Sequence, residues 1–358
     1  MSMANETANL TEKDNTNFFI RVIKALIPWK GDEKSEVMRK LVFLASIVLF
    51  IFSVEELTDY LSADKENRSY VQQIANNYEP DFNDVDNSDF GKTADGNGST
   101  NAPSGSEKKS IQSWAKKLLK KNPDVKGWIK IPGFKDQQNK EYINFPVLQG
   151  KDNEYYLYKN LDKQYYESGS IFIDSAAKVE KDKQSDNLTI YGHNMRYVGT
   201  AFTHLTEYKQ GADFVSQYPV IEFNTIYDSG CRYIVVGAFV ANLYGSQDNG
   251  KVFMYNGYRD FDEKGTFSFD NWIKEVKKRS WFSSDIKCTK NDKYITLSTC
   301  TNEAENLRWV VVAKKVTQKD DLDKLVSSYK DKKENDIYFP ACWTDIYGNT
   351  KVYSGWEY

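Results

Sequence analysis

The sequence predicts a mainly β protein, an eight-stranded β-barrel with one helix before it and one helical insert before its last two strands. Three observations support this. Short apolar runs typical of strands recur between residues 127 and 313, while the folded region 109–317 contains only two stretches with helical period. Many strands with sparse helices favour a mixed or antiparallel barrel over alternating β–α units. Further upstream, one apolar segment near the N-terminus predicts a single transmembrane helix.

Composition narrows the classes of function. The hydrophobic fraction of 40%, with 15% aromatic residues, suits a globular core, and the net charge of −3 gives no electrostatic case for nucleic-acid binding. Only two histidines are present, and the four cysteines are widely spaced, which argues against a zinc site or a dense disulfide framework. We therefore expect no metal and no cofactor.

Residues 1–40 are expected to form a cytoplasmic N-terminal tail. They are polar and mixed in charge apart from one apolar patch at residues 18–29. The helical spacing of that patch predicts a short amphipathic helix against a membrane or a partner, and a loosely ordered tail is the alternative.

Residues 41–62 are predicted to be a transmembrane signal anchor. Basic residues precede the apolar run 41–54 and Glu55 and Glu56 follow it, a bias that places the N-terminus inside the cell. The run alone is shorter than the ~20 residues that span a bilayer, so the helix must continue through Leu57 and Leu61. The region before it is too long for a signal peptide, and no small-x-small cleavage site follows. A buried helix of a soluble domain is the alternative.

Residues 63–108 are rich in Asp, Asn, Gly and Ser, and we predict a flexible extracellular stalk. Such a composition buries too little apolar surface to offset the loss of chain entropy. The aspartates do not follow the spacing of a calcium-binding loop. A folded domain is expected over 109–317, and an aromatic-rich C-terminal extension over 318–358, which packs on the barrel or on a partner.

The elements of the folded domain follow in order. Residues 111–119 predict an amphipathic helix, which Asn122 and Pro123 end. Residues 267–279 have helical period and form the insert. The eight predicted strands are residues 127–131, 143–148, 169–173, 188–191, 220–223, 232–240, 294–300 and 307–313.

Three side chains with complementary chemistry lie at strand ends. Cys300 ends the seventh predicted strand, where the polar loop 301–306 begins, Arg308 opens the eighth, and His193 follows the fourth. If these strands are neighbours, the three groups reach one small volume. A thiol nucleophile, an imidazole acid–base and a guanidinium that stabilises an oxyanion are the parts needed for acyl transfer through a thioester.

The thiols also have a plainer interpretation, because an isolated cysteine is usually a small buried hydrophobe. We expect this of Cys231, and expect Cys288 and Cys342 to be inert, with a disulfide outside the cell as the alternative. Cys300 differs because it lies where a loop begins, beside groups that would raise its thiolate fraction. His204, in a predicted helical turn, is interpreted as structural.

The alternative for Arg308 is a surface salt bridge with Glu303 or Glu305, whose contribution would be small. Arginine at the start of a valine-rich strand nevertheless costs desolvation unless it has a task there. For His193 the alternative is a structural histidine. The glycine and asparagine that flank it indicate a turn, which exposes the ring and favours function.

Taken together, these motifs resemble the sortase family, and class B in particular. The resemblance rests on Ile-Tyr-Gly-His193-Asn-Met, Thr-Leu-Ser-Thr-Cys300 and Arg308-Trp-Val-Val-Val, and it covers about residues 110–317. The insert at 267–279 is similar to class B rather than class A. An N-terminal anchor before an extracellular catalytic domain is similar to the family's layout. The long stalk and the aromatic tail depart from it, which bears on the substrate partner and accessory contacts.

The resemblance implies a sortase-type barrel and a membrane-anchored transpeptidase of Gram-positive cell walls, with its catalytic domain on the extracellular face. Cys300 would attack a C-terminal sorting signal of a surface protein, and Arg308 would stabilise the oxyanion. His193 would protonate the leaving amine, then accept a proton from the amine of a peptidoglycan cross-bridge. The same comparison implies no metal, since class B lacks the calcium site of class A. It places five residues along the peptide groove: Asn153, Leu157, Tyr191, Ser298 and Thr299.

Three alternatives stay open. A cysteine endopeptidase would use the same thiol and imidazole with water as the acceptor. A pilin-polymerising sortase would transfer the acyl group to another surface protein. A non-catalytic wall-associated binding module is suggested by the stalk and the aromatic tail.

Overall fold

The computed structural model describes residues 20–82, 110–195 and 199–353. Contacts divide the chain into two units, Met1–Ser69 and Tyr70–Tyr358.

The first unit is helical where it is described. Residues 20–26 form α1, which agrees with the helical alternative for the apolar patch. Helix α2, Lys34–Tyr78, begins in this unit. An 18-residue window within its segment Lys34–Thr58 has a mean hydropathy of 2.2, and only 6% of that window is buried. Its length and composition allow it to cross a membrane. Signal sequences near an N-terminus share this length and composition. A helix from the core of a soluble domain would be less exposed.

The stalk predicted over 63–108 differs from the structure at its start. Helix α2 continues to Tyr78, so residues 63–78 are helical. Ile74 and Ala75 near its end already belong to the second unit, where they are buried in an apolar cluster with residues of β1 and β2. The prediction was wrong there because two adjacent apolar residues in an otherwise polar stretch are enough to pack the end of this helix against the barrel. Residues 83–108 of the predicted stalk lie outside the described residues.

Eight strands of the second unit close into a barrel in the order β1-β2-β3-β4-β8-β9-β6-β5, which confirms the predicted fold class. Neighbouring strands are antiparallel except for the parallel pairs β2·β3 and β4·β8. The barrel strands are β1 Val125–Lys130, β2 Asn144–Leu148, β3 Ile171–Ile173, β4 Asn187–Tyr191, β5 Val220–Thr225, β6 Arg232–Asn242, β8 Tyr294–Cys300 and β9 Leu307–Lys315. The short strands β7 Phe282–Ser283 and β10 Lys330–Asp331 pair with each other.

Helices cover the barrel at the places that the sequence predicts. Helix α3, Ser113–Lys121, precedes β1, and α5, Phe269–Arg279, is the insert before β8. Helix α5 lies on β6, since a Cβ built at Gly237 would be 2.9 Å from Val276. The shorter helices are α4 Ala212–Gln217, α6 Leu322–Val326, α7 Ala341–Tyr347 and a 3₁₀ helix at Thr203–Gln210.

The C-terminal extension packs on the barrel, which is one of the two placements that the sequence predicts. Tyr329, Ile337, Phe339 and Trp343 are buried members of the main hydrophobic core. Strands β8 and β9 are buried along almost their whole length because one face points into the barrel and the other lies under these covering elements.

Candidate active site

Cys300 and Arg308 lie directly opposite each other on the antiparallel strands β8 and β9. Side chains of such a pair project to the same face, with Cβ atoms ~5 Å apart. The loop between them is closed by a hydrogen bond from the Thr301 N–H to the Leu307 carbonyl, at 3.2 Å. Both side chains are half-buried. The two strands thus bring a thiol and a guanidinium to one mouth of the barrel.

His193 reaches the same place because β4 runs parallel to β8, so the two strands end at one edge. On one side of His193, the Gly192 N–H donates to the Ser298 carbonyl at 3.2 Å. On the other side, Asn194 Nδ2 donates to the Cys300 carbonyl at 2.9 Å. The residues that flank the imidazole are therefore bonded to the strand that carries the thiol.

The ring of His193 is held by the preceding loop. Its Nε2 lies 2.8 Å from the Leu157 carbonyl, which can only accept, so Nε2 carries the proton. The Tyr158 ring lies 5.5 Å away. Burial lowers the pKa of His193 and the charge of Arg308 lowers it further, against the opposing effects of the Leu157 carbonyl and Glu167. The imidazole is consequently neutral at pH 7, with Nδ1 as an acceptor.

Asn153 and Tyr191, two of the predicted groove residues, meet at one buried carboxylate. Asn153 Nδ2 and the Tyr191 hydroxyl donate to Asp174 Oδ2 at 3.0 and 2.9 Å. Arg259 Nε donates to Asp174 Oδ1 at 2.9 Å. These bonds fix the Asn153 and Tyr191 side chains, and Leu157 contacts His193 through its backbone carbonyl.

Ser298 and Thr299 are both only 2% exposed. The Ser298 hydroxyl is 2.8 Å from the Tyr255 hydroxyl, and Thr299 Oγ1 donates to the Gly192 carbonyl at 2.8 Å. Their burial argues against direct contact between either side chain and a bound peptide. In the structure they join β8 to its neighbours.

Sequence reasoning missed Asp174, Arg259, Asn194 and Tyr255. Asp174 directly follows β3, so the rule that selected Cys300, a reactive group just past a strand, could have found it. Arg259 and Tyr255 lie in the long connection before α5, where nothing in the local sequence distinguishes them.

The other cysteines agree with the expectation that they are inert. All four thiols are free and Cys231 is buried. Burial raises the pKa of Cys288 to about 11, and it also raises the pKa of Cys342. These thiols are protonated at neutral pH and are poor nucleophiles. His204 is buried, with its ring 3.8 Å from that of Tyr142, as expected of a structural residue.

Glu303, one of the two alternative salt-bridge partners of Arg308, pairs with a different residue. Glu303 pairs instead with Lys209, at 2.5 Å. One Arg308 N–H donates to the Leu307 carbonyl at 3.2 Å. Within residues 20–82, 110–195 and 199–353, no three His, Cys, Asp or Glu side chains are grouped so as to hold a metal ion.

A family model described as the sortase domain matches residues 129–316, more than half of the chain. Sortase B of Listeria monocytogenes is 34% identical over 204 residues, which cover 56% of this chain and 73% of the relative. Sortase B of Staphylococcus aureus is 30% identical over 202 residues, with coverages of 56% and 72%.

A solved structure supports the fold. The crystal structure of sortase B from Bacillus anthracis in complex with AAEK1 superposes with a TM-score of 0.52 at 23% identity, covering 72% of this chain and 100% of that one. With the family match and the two relatives, the conclusion is direct: the chain belongs to the sortase family, class B, and is a cysteine transpeptidase.

Proposed function

We propose that this sortase cleaves a C-terminal sorting signal of surface proteins and transfers the acyl group to the amine of a peptidoglycan cross-bridge. Cys300 is the proposed nucleophile, His193 the acid–base and Arg308 the oxyanion-stabilising group. The observation that carries the proposal is the facing pair Cys300 and Arg308, with Asn194, next to His193, bonded to the Cys300 carbonyl.

In the first step the Cys300 thiol gives its proton to His193, and the sulfur attacks the carbonyl carbon after the threonine of the sorting signal. A C–S bond forms while the carbonyl electron pair moves to oxygen. Arg308 stabilises this oxyanion, and loss of one such donor typically costs about 10²–10³ in rate. The C–N bond then breaks, and the leaving amine takes the proton from His193.

In the second step the cross-bridge amine attacks the thioester carbonyl, and its proton passes to His193. The C–S bond breaks, and the sulfur takes the proton from His193, which restores the thiol and the neutral imidazole. The lowered pKa of His193 supports this role, because a ring that is neutral before the amine arrives can accept the proton at once.

Asn153, Leu157 and Tyr191 are proposed to contact the sorting peptide, and Ser298 and Thr299 to shape the groove from below. The bonds of Asn153 and Tyr191 to Asp174 keep these two side chains rigid, which reduces the entropy lost when a peptide binds. The product distinguishes wall anchoring from pilin polymerisation, because in pilin polymerisation the acceptor is an amine of a second surface protein.

The proposed location is the cell membrane, with the N-terminus in the cytoplasm and the catalytic domain outside. The exposed apolar segment Lys34–Thr58 and the basic residues before its apolar core support this orientation. Accessibility of Cys288 and Cys300 to an impermeant thiol reagent after mild denaturation of whole cells tests it.

The direct test of the proposal uses the full chain in detergent, a set of sorting-signal pentapeptides and an amine acceptor. Cys300→Ala and His193→Ala should abolish cleavage, and Arg308→Ala should lower it about 10²–10³-fold. Cys288→Ala, at a half-buried thiol, is the matched control and should retain activity. Near-normal cleavage by Cys300→Ala would reject the proposal.

The same assay separates the alternatives. An endopeptidase would release the free acid whether or not amine is present, whereas a transpeptidase gives a ligated product. A non-catalytic binding module would show no turnover by the unmodified chain.

A further inference from the structure

We propose that the C-terminal extension holds the loop between Cys300 and Arg308 in its working geometry, and that Tyr347 is the positioning residue. The inference rests on the proposed roles of these two residues. It assigns a task to a segment that lies beyond residues 129–316, the part of the chain that the sortase domain matches.

The loop itself, residues 301–306, is shaped by a buried ion pair. Lys209 Nζ lies 2.5 Å from Glu303 Oε2, and the two side chains are only 1% and 4% exposed. Thr301 also donates to this carboxylate. The Glu303 side chain therefore points inward, and its backbone is left as the outer surface of the loop.

Tyr347, at the end of α7, contacts that backbone. Its hydroxyl donates to the Glu303 carbonyl at 2.6 Å. The barrel thus binds the side chain of Glu303 through Lys209, and the extension binds its main chain through Tyr347. A shift of this loop would move the two strand ends that carry Cys300 and Arg308.

A second connection runs through Asp248, a buried carboxylate. Its oxygens accept from the Tyr338 hydroxyl at 2.7 Å and from the Ala341 N–H at 3.0 Å, both in the extension. The preceding residue, Gln247, donates from Nε2 to the Glu305 carbonyl at 3.2 Å. The extension consequently reaches the loop at a second point.

A third connection is aromatic. The Trp343 ring of α7 lies 6.1 Å from that of Trp281, which lies 4.8 Å from that of Trp309. Trp309 directly follows Arg308 on β9. Such edge-to-face contacts stabilise the packing beyond the effect of burial alone.

These contacts concern geometry rather than chemistry, because Tyr347 touches the loop backbone and not the thiol. Displacing a reacting group by about 1 Å can cost ~10² in rate, whereas binding of the peptide elsewhere is little affected. The signature of a positioning residue is therefore a lower kcat at an unchanged KM.

The test compares Tyr347→Phe with Tyr329→Phe in the full chain. Tyr329 is a matched control, since it lies in the same extension and its hydroxyl also donates to a carbonyl, that of Val235, at 2.5 Å. Val235 is six residues along β6 from Ala241, the residue that pairs with Arg308, so it lies about 20 Å from the site.

We expect Tyr347→Phe to lower kcat about tenfold with KM within about twofold, and Tyr329→Phe to keep kcat despite a similar loss in Tm. A normal kcat for Tyr347→Phe, or equal losses in both variants, would overturn the inference. If the unmodified chain cleaves no peptide, the proposed function fails instead. The rate of Cys300 alkylation by iodoacetamide, mapped by mass spectrometry, then still reports whether Tyr347→Phe changes the site.

Discussion

Glu303→Gln tests whether the buried ion pair beside the site stabilises the fold. Burial alone would raise the pKa of Glu303, but the charge of Lys209 and the hydrogen bonds from Lys209 and Thr301 outweigh it and hold the pKa below its ordinary value. The carboxylate is therefore ionised and compensates the buried ammonium 2.5 Å away. The amide keeps the shape of the side chain and removes the charge.

The magnitude follows from the burial of both partners. Removing one partner of a buried pair typically costs about 3–5 kcal/mol, because the other charge is left without compensation. For a domain of roughly 150–250 residues each kcal/mol lowers Tm by about 2–4 °C, so the expected fall in Tm is about 6–20 °C.

Thermal unfolding in detergent provides the measurement. Asp260→Asn is the matched control, since Asp260 pairs with Lys178 at 3.9 Å with both side chains about half exposed. Such a pair is worth ~0–1 kcal/mol. The double variant Lys209→Met with Glu303→Leu should recover most of the loss. A Tm for Glu303→Gln no lower than that of Asp260→Asn would refute the reasoning.

The same pair predicts a pH dependence. Because the folded-state pKa of Glu303 is lowered, its contribution to stability is complete above the ordinary carboxyl pKa and is lost as the pH falls through the folded-state value. Unfolding free energies measured from neutral to acidic pH should therefore fall less steeply for Glu303→Gln than for the unmodified chain. Parallel curves would contradict this.

Two further predictions concern His193. Arg308→Met removes a positive charge that lowers the pKa of His193, so the midpoint of its NMR titration should move up, and an unchanged or lower midpoint would contradict the assignment. Gly169→Ala should lower both Tm and the cleavage rate, because φ is +57° there and a Cβ would lie 2.2 Å from the Leu157 carbonyl that bonds the imidazole. Gly133→Ala is its control, with φ +77° but no atom within 4 Å of the added Cβ. Equal effects of the two glycine changes would show that backbone strain alone is responsible.

The barrel could be predicted because its strands carry a strong local signal. Runs such as Val310 to Val312 are β-branched and uninterrupted, which is typical of strands covered on both faces. Cys300 and Arg308 followed from the same signal, because adjacent strands in sequence often pair. The position of His193 went further beyond the local sequence. The parallel pairing of β4 with β8 that brings it there is set by topology.

What could not be predicted depends on contacts between distant residues. Asp174 is bonded to Arg259, 85 positions away, and no local pattern in the sequence connects the two positions. The helical end of α2 was missed because its composition is polar, although Ile74 is buried within the second unit. The composition of the extension indicated that it packs, but the bond from Tyr347 to Glu303 requires the fold.

Mass spectrometry of the intact protein, after brief reaction with a sorting-signal peptide, tests the central claim most directly. The account predicts an acyl adduct that peptide mapping places on Cys300 and that an added amine acceptor removes with formation of the ligated product. An adduct on Cys231, Cys288 or Cys342 would contradict the account. So would cleavage of the peptide by the Cys300→Ala variant with no adduct formed.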